Sequence, residues 1–490
     1  MRFLFIVAYL VSIPAISQEK TRNQIQQTIT RSEAEAHLTF LASDEMKGRD
    51  TGSPELDIAA NYIRAQFQSL DAKPAPGTED FFQPVNLVRY RAPEKGVVKL
   101  ADESYELKES MLLLEGENVD WSGEFVYVGY GSPEDLERID IKGKMVLALA
   151  GSREADNINK VYMASRDKLG LVKKAGAIGL VEVLAFQQVP WSALVNAFQK
   201  DSWGIAENTE SKGIPFVWIK PRDIKKLSLN EKKKINGSLS VAAPPPMYHT
   251  GKNVAAMIEG TDPALKNEFV ILTAHYDHIG VDPNEQKEDR IYNGARDNAI
   301  GTVALIQAAK FLSQNPPARS VLLIALTSEE KGLLGSKWYV KHPLVPLNKT
   351  ILNLNCDGVG YNDTSTITSI SLGRTSTDDI LREAAKEFGF KLGGDPDPRE
   401  GFYERSDQVS FAKEGIPAIK LQPGVVKMDD QIFKYYHQAA DEVSSLDLEY
   451  ITRFYRSYVY AVHLLVNNGT RPAWVEGDKF QEAGKKLYGQ

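Results

Sequence analysis

Beyond three consecutive prolines at 244–246, the chain alternates between apolar runs and helical patterns: EFVILTA, AIGTVALIQAAKFL, SVLLIALT, GSKWYVKH and ILNLNC follow one another. Alternation of this kind requires a largely parallel sheet covered by helices. A helix around ILREAAKEFGF, a strand PAIKL and a final helix near LEYITRFYRSYVYAVHLLV continue the pattern. The apolar runs deliver His275, the Glu329–Glu330 pair and Asp357 to strand ends. In open α/β sheets the carboxyl edge of the strands is where ligands bind.

The stretch before the prolines reads differently. Apolar positions at helical spacing between 31 and 68 predict two helices separated by MKGRDTGSP, and short strand-like runs from about 96 to 243 predict a β-rich insertion. Prolines disfavour both helix and central strand, so the run at 244–246 is a natural boundary. The expected division is an export signal at 1–17, a first catalytic segment at 18–92, an inserted β-rich domain at 93–247 and the main catalytic segment at 248–490. The expected fold class is α/β, a mixed and mostly parallel sheet between helices in a three-layer αβα arrangement.

Composition narrows the partners. A formal net charge of -7 and a pI near 5.7 give no general attraction for nucleic acid or an anionic membrane face. The opening MRFLFIVAYLVSIPAIS sets one arginine before an apolar stretch, with small residues at Ala15 and Ser17, which predicts cleavage after Ser17 and a periplasmic or extracellular product. That stretch is shorter than the ~20 residues a membrane span needs. The sole cysteine, Cys356, lies in an apolar segment and reads as inert packing rather than a ligand.

Five residues form a candidate metal set: His275, Asp297, Glu330, Asp357 and His437. In HYD, Asp277 is placed to accept from the His275 ring nitrogen not used for metal, while His278 reads as pocket wall. Asp297 precedes a helix expected from about Asn298 to Leu312, so it suits both an N-cap and a bridge between two cations, with an unusual geometry expected at its bond to Asn298. Adjacent Glu329 and Glu330 would ordinarily sit in water. In a di-zinc site Glu330 binds metal and Glu329 takes the proton of an activated water. Tyr436 reads equally as core packing and as a donor to a developing oxyanion.

Taken in order, HYD at 275–277, DN at 297–298, EEKGLLGS at 329–336, NCDGVG at 355–360 and YH at 436–437 resemble the zinc-dependent exopeptidase family that includes secreted bacterial aminopeptidases and glutamate carboxypeptidase. FLASDEMKGRDTGSPE is similar to that family's opening segment. VYVGYG, DIKGKMVLALAG and KKAGAIGLVEV resemble a protease-associated domain, which the family often carries as an insertion. The resemblance implies two zinc ions, one on His275 and Asp357, one on Glu330 and His437, with Asp297 on both and Glu329 as general base. Two departures stand out: Arg296 before the bridging aspartate, and Gln408 where relatives often have histidine. Arg296 and Arg405 are open to two readings, a guanidinium shaping the pocket or binding a peptide carboxylate, and a solvated surface charge.

The leading expectation is an exported aminopeptidase acting on peptides. A carboxypeptidase for acidic dipeptides is the nearest rival, favoured if Arg296 reaches the pocket. A single-zinc glutaminyl cyclase, which would not need His275, and a non-catalytic binding module complete the alternatives. Side-chain preference and oligomeric state have no signature in the sequence.

Overall fold

A computed structural model describes residues 18–490 apart from positions 79, 117, 187, 207–212, 228, 230–233 and 285. The expected export signal at 1–17 lies outside the described residues. Among those described, no helix is long and apolar enough to cross a membrane. The chain forms two compact units, one built from the segment ending at Asn86 together with Thr250–Gln490, the other from Leu87–His249.

The first unit is organised around β1 (Met247–Ile258), β2 (Phe269–His275), β3 (Ser320–Leu326), β4 (Thr350–Cys356), β5 (Thr366–Ser369), β6 (Lys391–Gly393) and β7 (Ala418–Pro423). Their order across the sheet is β6-β5-β7-β4-β2-β3-β1. The central strands β3, β2, β4 and β7 are parallel, and antiparallel pairings join β1 to β3 and β5 to β7. This is the mixed, mostly parallel sheet that the alternating pattern requires.

Side chains of successive strand residues point to opposite faces. Val270, Leu272 and Ala274 of β2 join one core with Val321, Leu323 and Ala325 of β3, while Ile271, Leu322, Ile324 and Leu326 join the other. The first core is closed by α1 (Arg31–Leu41), α2 (Pro54–Ser69), α3 (Ile300–Gln314) and the long helix Leu448–Asn467. Residues of the helices Leu334–Lys341 and Gln408–Lys413 contribute to the second. Helix α3 packs against both α1 and the 448–467 helix, which explains why it is apolar nearly all round.

The second unit holds an eight-stranded sheet and is less purely β than its sequence suggests. Gly179–Val183 lies parallel to both Met145–Leu149 and Phe216–Ile219. The helix Ile158–Lys174 was not legible in the sequence because charged residues interrupt its apolar stripe. It starts where Asn157 Oδ1 accepts from Lys160 N–H at 3.0 Å and buries Val161, Leu169 and Val172. Lys168 is also buried there, its Nζ 2.5 Å from Glu182 Oε1.

Gly301, in the first turn of α3, lies where a Cβ would overlap the Cys356 carbonyl oxygen and the Asn298 amide. Gly301→Ala is expected to destabilise the protein by about 1–3 kcal/mol, the usual cost of overpacking a core. Urea denaturation measures it, and an unchanged midpoint would remove this close approach as a constraint on α3.

Candidate metal centre

His275 ends β2 and is 1% exposed. Its Nε2 lies 3.2 Å from Asp297 Oδ1 and 3.3 Å from Asp357 Oδ1, the latter at the end of β4. The other ring nitrogen differs from expectation. Nδ1 faces the backbone carbonyl of Asp277 at 3.1 Å, and the nearest Asp277 carboxylate oxygen is 3.8 Å away. The Asp277 carboxylate turns instead to the neighbouring loop, where it accepts from Glu329 N–H at 3.0 Å and Glu330 N–H at 3.2 Å. Asp277 thus orients the imidazole through its main chain and the paired glutamates through its side chain. Burial pushes its carboxyl up to about 6 against the pull of His275.

Asp297 lies in a turn at Ala295–Ala299 whose φ and ψ leave the helical region at Asp297 and Asn298, joined by a cis peptide bond. The expected N-cap role falls to Asn298 instead. Its Oδ1 accepts from Gly301 N–H at 3.0 Å, its Nδ2 donates to the Cys356 carbonyl at 3.0 Å, and α3 begins at Ile300. The Asp297 carboxylate is left free to face the cavity, with Oδ2 3.2 Å from His437 Nε2. One carboxylate therefore presents one oxygen to each of two imidazoles.

The turn is held by Asp441, which the sequence reading missed. Its carboxylate accepts from Arg296 N–H at 3.0 Å and Asp297 N–H at 3.2 Å, and from the Arg296 guanidinium at 3.1 Å. Arg296 is 3% exposed, donates also to Ser445 and lies 3.7 Å from the Tyr435 ring centroid. It does not line the cavity, which removes the support it was expected to lend to recognition of a peptide carboxylate.

Glu330 Oε1 lies 3.3 Å from His437 Nε2 and 2.8 Å from His278 Nδ1. His278 is therefore more than pocket wall: it is fully buried against a candidate ligand. His278, Asp297, Glu330 and His437 form one group, and His275, Glu329 and Asp357 another, with potential ligand atoms inside each group within 4.8 Å of one another. Imidazole nitrogens with carboxylate oxygens are the donor set zinc takes at catalytic sites, so these residues fit the ion.

The electrostatics of the cluster follow from burial. Burial opposes ionisation of Asp297, yet hydrogen bonds from His275 and His437 hold it well below the usual carboxylate range. Glu330 is held down to about 2, since bonds from His278 and His437 outweigh burial and the nearby Asp297. His437 resists burial and rises to about 10 beside Asp297 and Glu330. Glu329 is the contrast. Burial, helped by Asp357, Glu330 and Asp407, pushes it well above the usual range despite His275.

These groups open into a cavity of about 900 Å³ lined also by Leu333, Phe402, Arg405, Lys420, Phe433 and Tyr436. Tyr436 stacks on His437 with ring centroids 4.1 Å apart. Arg405 reaches the cavity wall, its guanidinium 5.4 Å from the Phe402 ring centroid. Gln408 points into the protein, joining Asn355 and the Tyr403 carbonyl. Cys356 is buried and its thiol is not among the candidate ligand atoms. Lys420 and Ser406, both unanticipated, donate to Asp357 Oδ2, Lys420 at 3.0 Å.

Residues 253–462 match the model of peptidase family M28. That stretch is similar to peptidase family M28 domains. The aminopeptidase YwaD of Bacillus subtilis is 26% identical over 275 residues, and the chain spans 54% of its length. A vacuolar membrane protease of Saccharomyces cerevisiae is 30% identical over 158 residues, which are 32% of this chain and 14% of the protease. An aminopeptidase from Aneurinibacillus sp. strain AM-1 shares the fold, with a TM-score of 0.61 at 23% identity over 92% of this chain and 97% of the other.

The His437 imidazole is raised to about 10 beside Asp297 and Glu330, so a metal that took it as a ligand would compete with a proton there. Zinc affinity of the M28-like domain is accordingly expected to rise with pH below that value, by about tenfold per unit for each proton displaced. Competition with a chelator of known protonation at two pH values measures this. Affinity independent of pH would exclude the raised imidazoles as ligands.

Proposed function

We propose that the protein is an exported aminopeptidase whose M28-like domain holds two zinc ions: one on His275 and Asp357, one on Glu330 and His437, and Asp297 on both. The observation that carries this reading is the orientation of Asp297, with Oδ1 toward His275 and Oδ2 toward His437 at 3.2 Å each. A carboxylate so divided suits a pair of cations better than one. When bound, the zinc pair supplies Lewis acidity, lowering the pKa of water and polarising the scissile carbonyl.

The side chains divide the remaining work. Glu329, standing with His275 and Asp357, is the general base that takes a proton from the attacking water and passes it to the leaving amine. Its backbone N–H and that of Glu330 are anchored on the Asp277 carboxylate, so the base and the ligand are positioned together. Tyr436, at the cavity wall beside His437, donates a hydrogen bond from its hydroxyl to the oxyanion. The carboxylates around the centre favour a free α-amino group, which supports N-terminal residues of peptides as the substrate.

Export through residues 1–17 belongs to the same reading and rests on their apolar run and small residues.

Glu329→Gln is the decisive variant. Zinc content by mass spectrometry should stay at the native level while kcat on amino-acid anilides and short peptides falls by roughly 10²–10⁴-fold, the range general bases contribute. Retained turnover would exclude Glu329 as base. Lost zinc would make it a ligand instead.

A further inference from the structure

Lys420 brings a second kind of cation to the wall of the metal cavity. It sits in β7 opposite Asn355 of β4, and its side chain is 7% exposed. Nζ lies 3.0 Å from Asp357 Oδ2, and Ser406 donates to the same oxygen. The other oxygen, Oδ1, faces His275 Nε2 at 3.3 Å. Two donors occupy one side of this carboxylate, so a metal has only Oδ1 to take.

The other candidate ligand set is built differently. Glu330 receives His278 Nδ1 at 2.8 Å, a bond that a neutral imidazole makes as well as a charged one. On Asp357 the corresponding place is taken by a lysine nitrogen and a serine hydroxyl, both on Oδ2. Two cations sharing one carboxylate in a buried, poorly screened site repel each other.

We infer that Lys420 is a positioning residue that restricts Asp357 to one-oxygen coordination and keeps the metal position formed by His275, Asp297 and Asp357 weaker and more exchangeable than those ligands alone would make it. This rests on the two-zinc reading above. Partners in the outer shell of a metal typically change its affinity by 10–100-fold, and a neutral donor does so by strengthening binding. Lys420 acts in the opposite direction, because removing it both lifts the repulsion and frees Oδ2.

The test is a zinc titration of the metal-stripped full chain by chelator competition, with cobalt absorption spectra as a report on coordination. Native protein is expected to bind two ions with unequal affinities. In Lys420→Met, and equally in Lys420→Gln, the weaker dissociation constant should fall by roughly 10–100-fold and one cobalt spectrum should change, while the tighter ion stays as it was. Lys420→Arg should keep the native pattern.

Weakened or unchanged binding of both ions in correctly folded Met and Gln variants would overturn the inference. The same unchanged affinities with a raised KM for peptides would make Lys420 a substrate contact. Native protein that binds a single ion would overturn the two-zinc reading itself, and this inference with it.

Discussion

The carboxylate of Asp441 grips the backbone N–H groups of Arg296 and Asp297, and the rest of the cavity floor depends on where that grip leaves the Asp297 side chain. With its main chain anchored from behind, Asp297 faces forward between His275 and His437. Arg296 neutralises the anchor, and Tyr435 and Ser445 cover the guanidinium. Removing one member of such a buried pair leaves an uncompensated charge, a loss that typically costs 3–5 kcal/mol. Geometry at the centre and stability of the fold are therefore set by the same contacts.

A second constraint is the density of carboxylates. Asp277, Asp297, Glu329, Glu330, Asp357 and Asp407 crowd one end of the sheet, mostly out of water. Burial pushes Asp407 up to about 7, against the pull of His275, and Arg49 is driven down to about 10 by its own burial among these acids. Imidazolium groups and Lys420 offset only part of this charge. Divalent cations would complete the balance.

Much of the arrangement was legible because strand ends announce themselves. The apolar runs that become β2, β3 and β4 deliver His275, Glu329, Glu330 and Asp357 to one edge, and periodicity alone locates those ends. What stayed hidden depends on contacts distant in sequence. Asp441 lies far from the turn it holds, and Lys420 reads simply as one charge in an otherwise apolar strand. The division of labour in Asp277, carbonyl to the imidazole and carboxylate to the glutamates, depends on how the chain turns after β2. The cap at α3 moved from Asp297 to Asn298 for the same reason: two polar neighbours are equally plausible until the backbone chooses which one faces the helix.

The central claim is that Asp297 stands between two metal ions. Anomalous diffraction from zinc-loaded crystals, recorded on both sides of the zinc absorption edge, tests it most directly. Two peaks about 3.5–4 Å apart, one beside each Asp297 oxygen, are expected of a paired centre. A single peak, or a pair in which only one touches Asp297, would contradict the account.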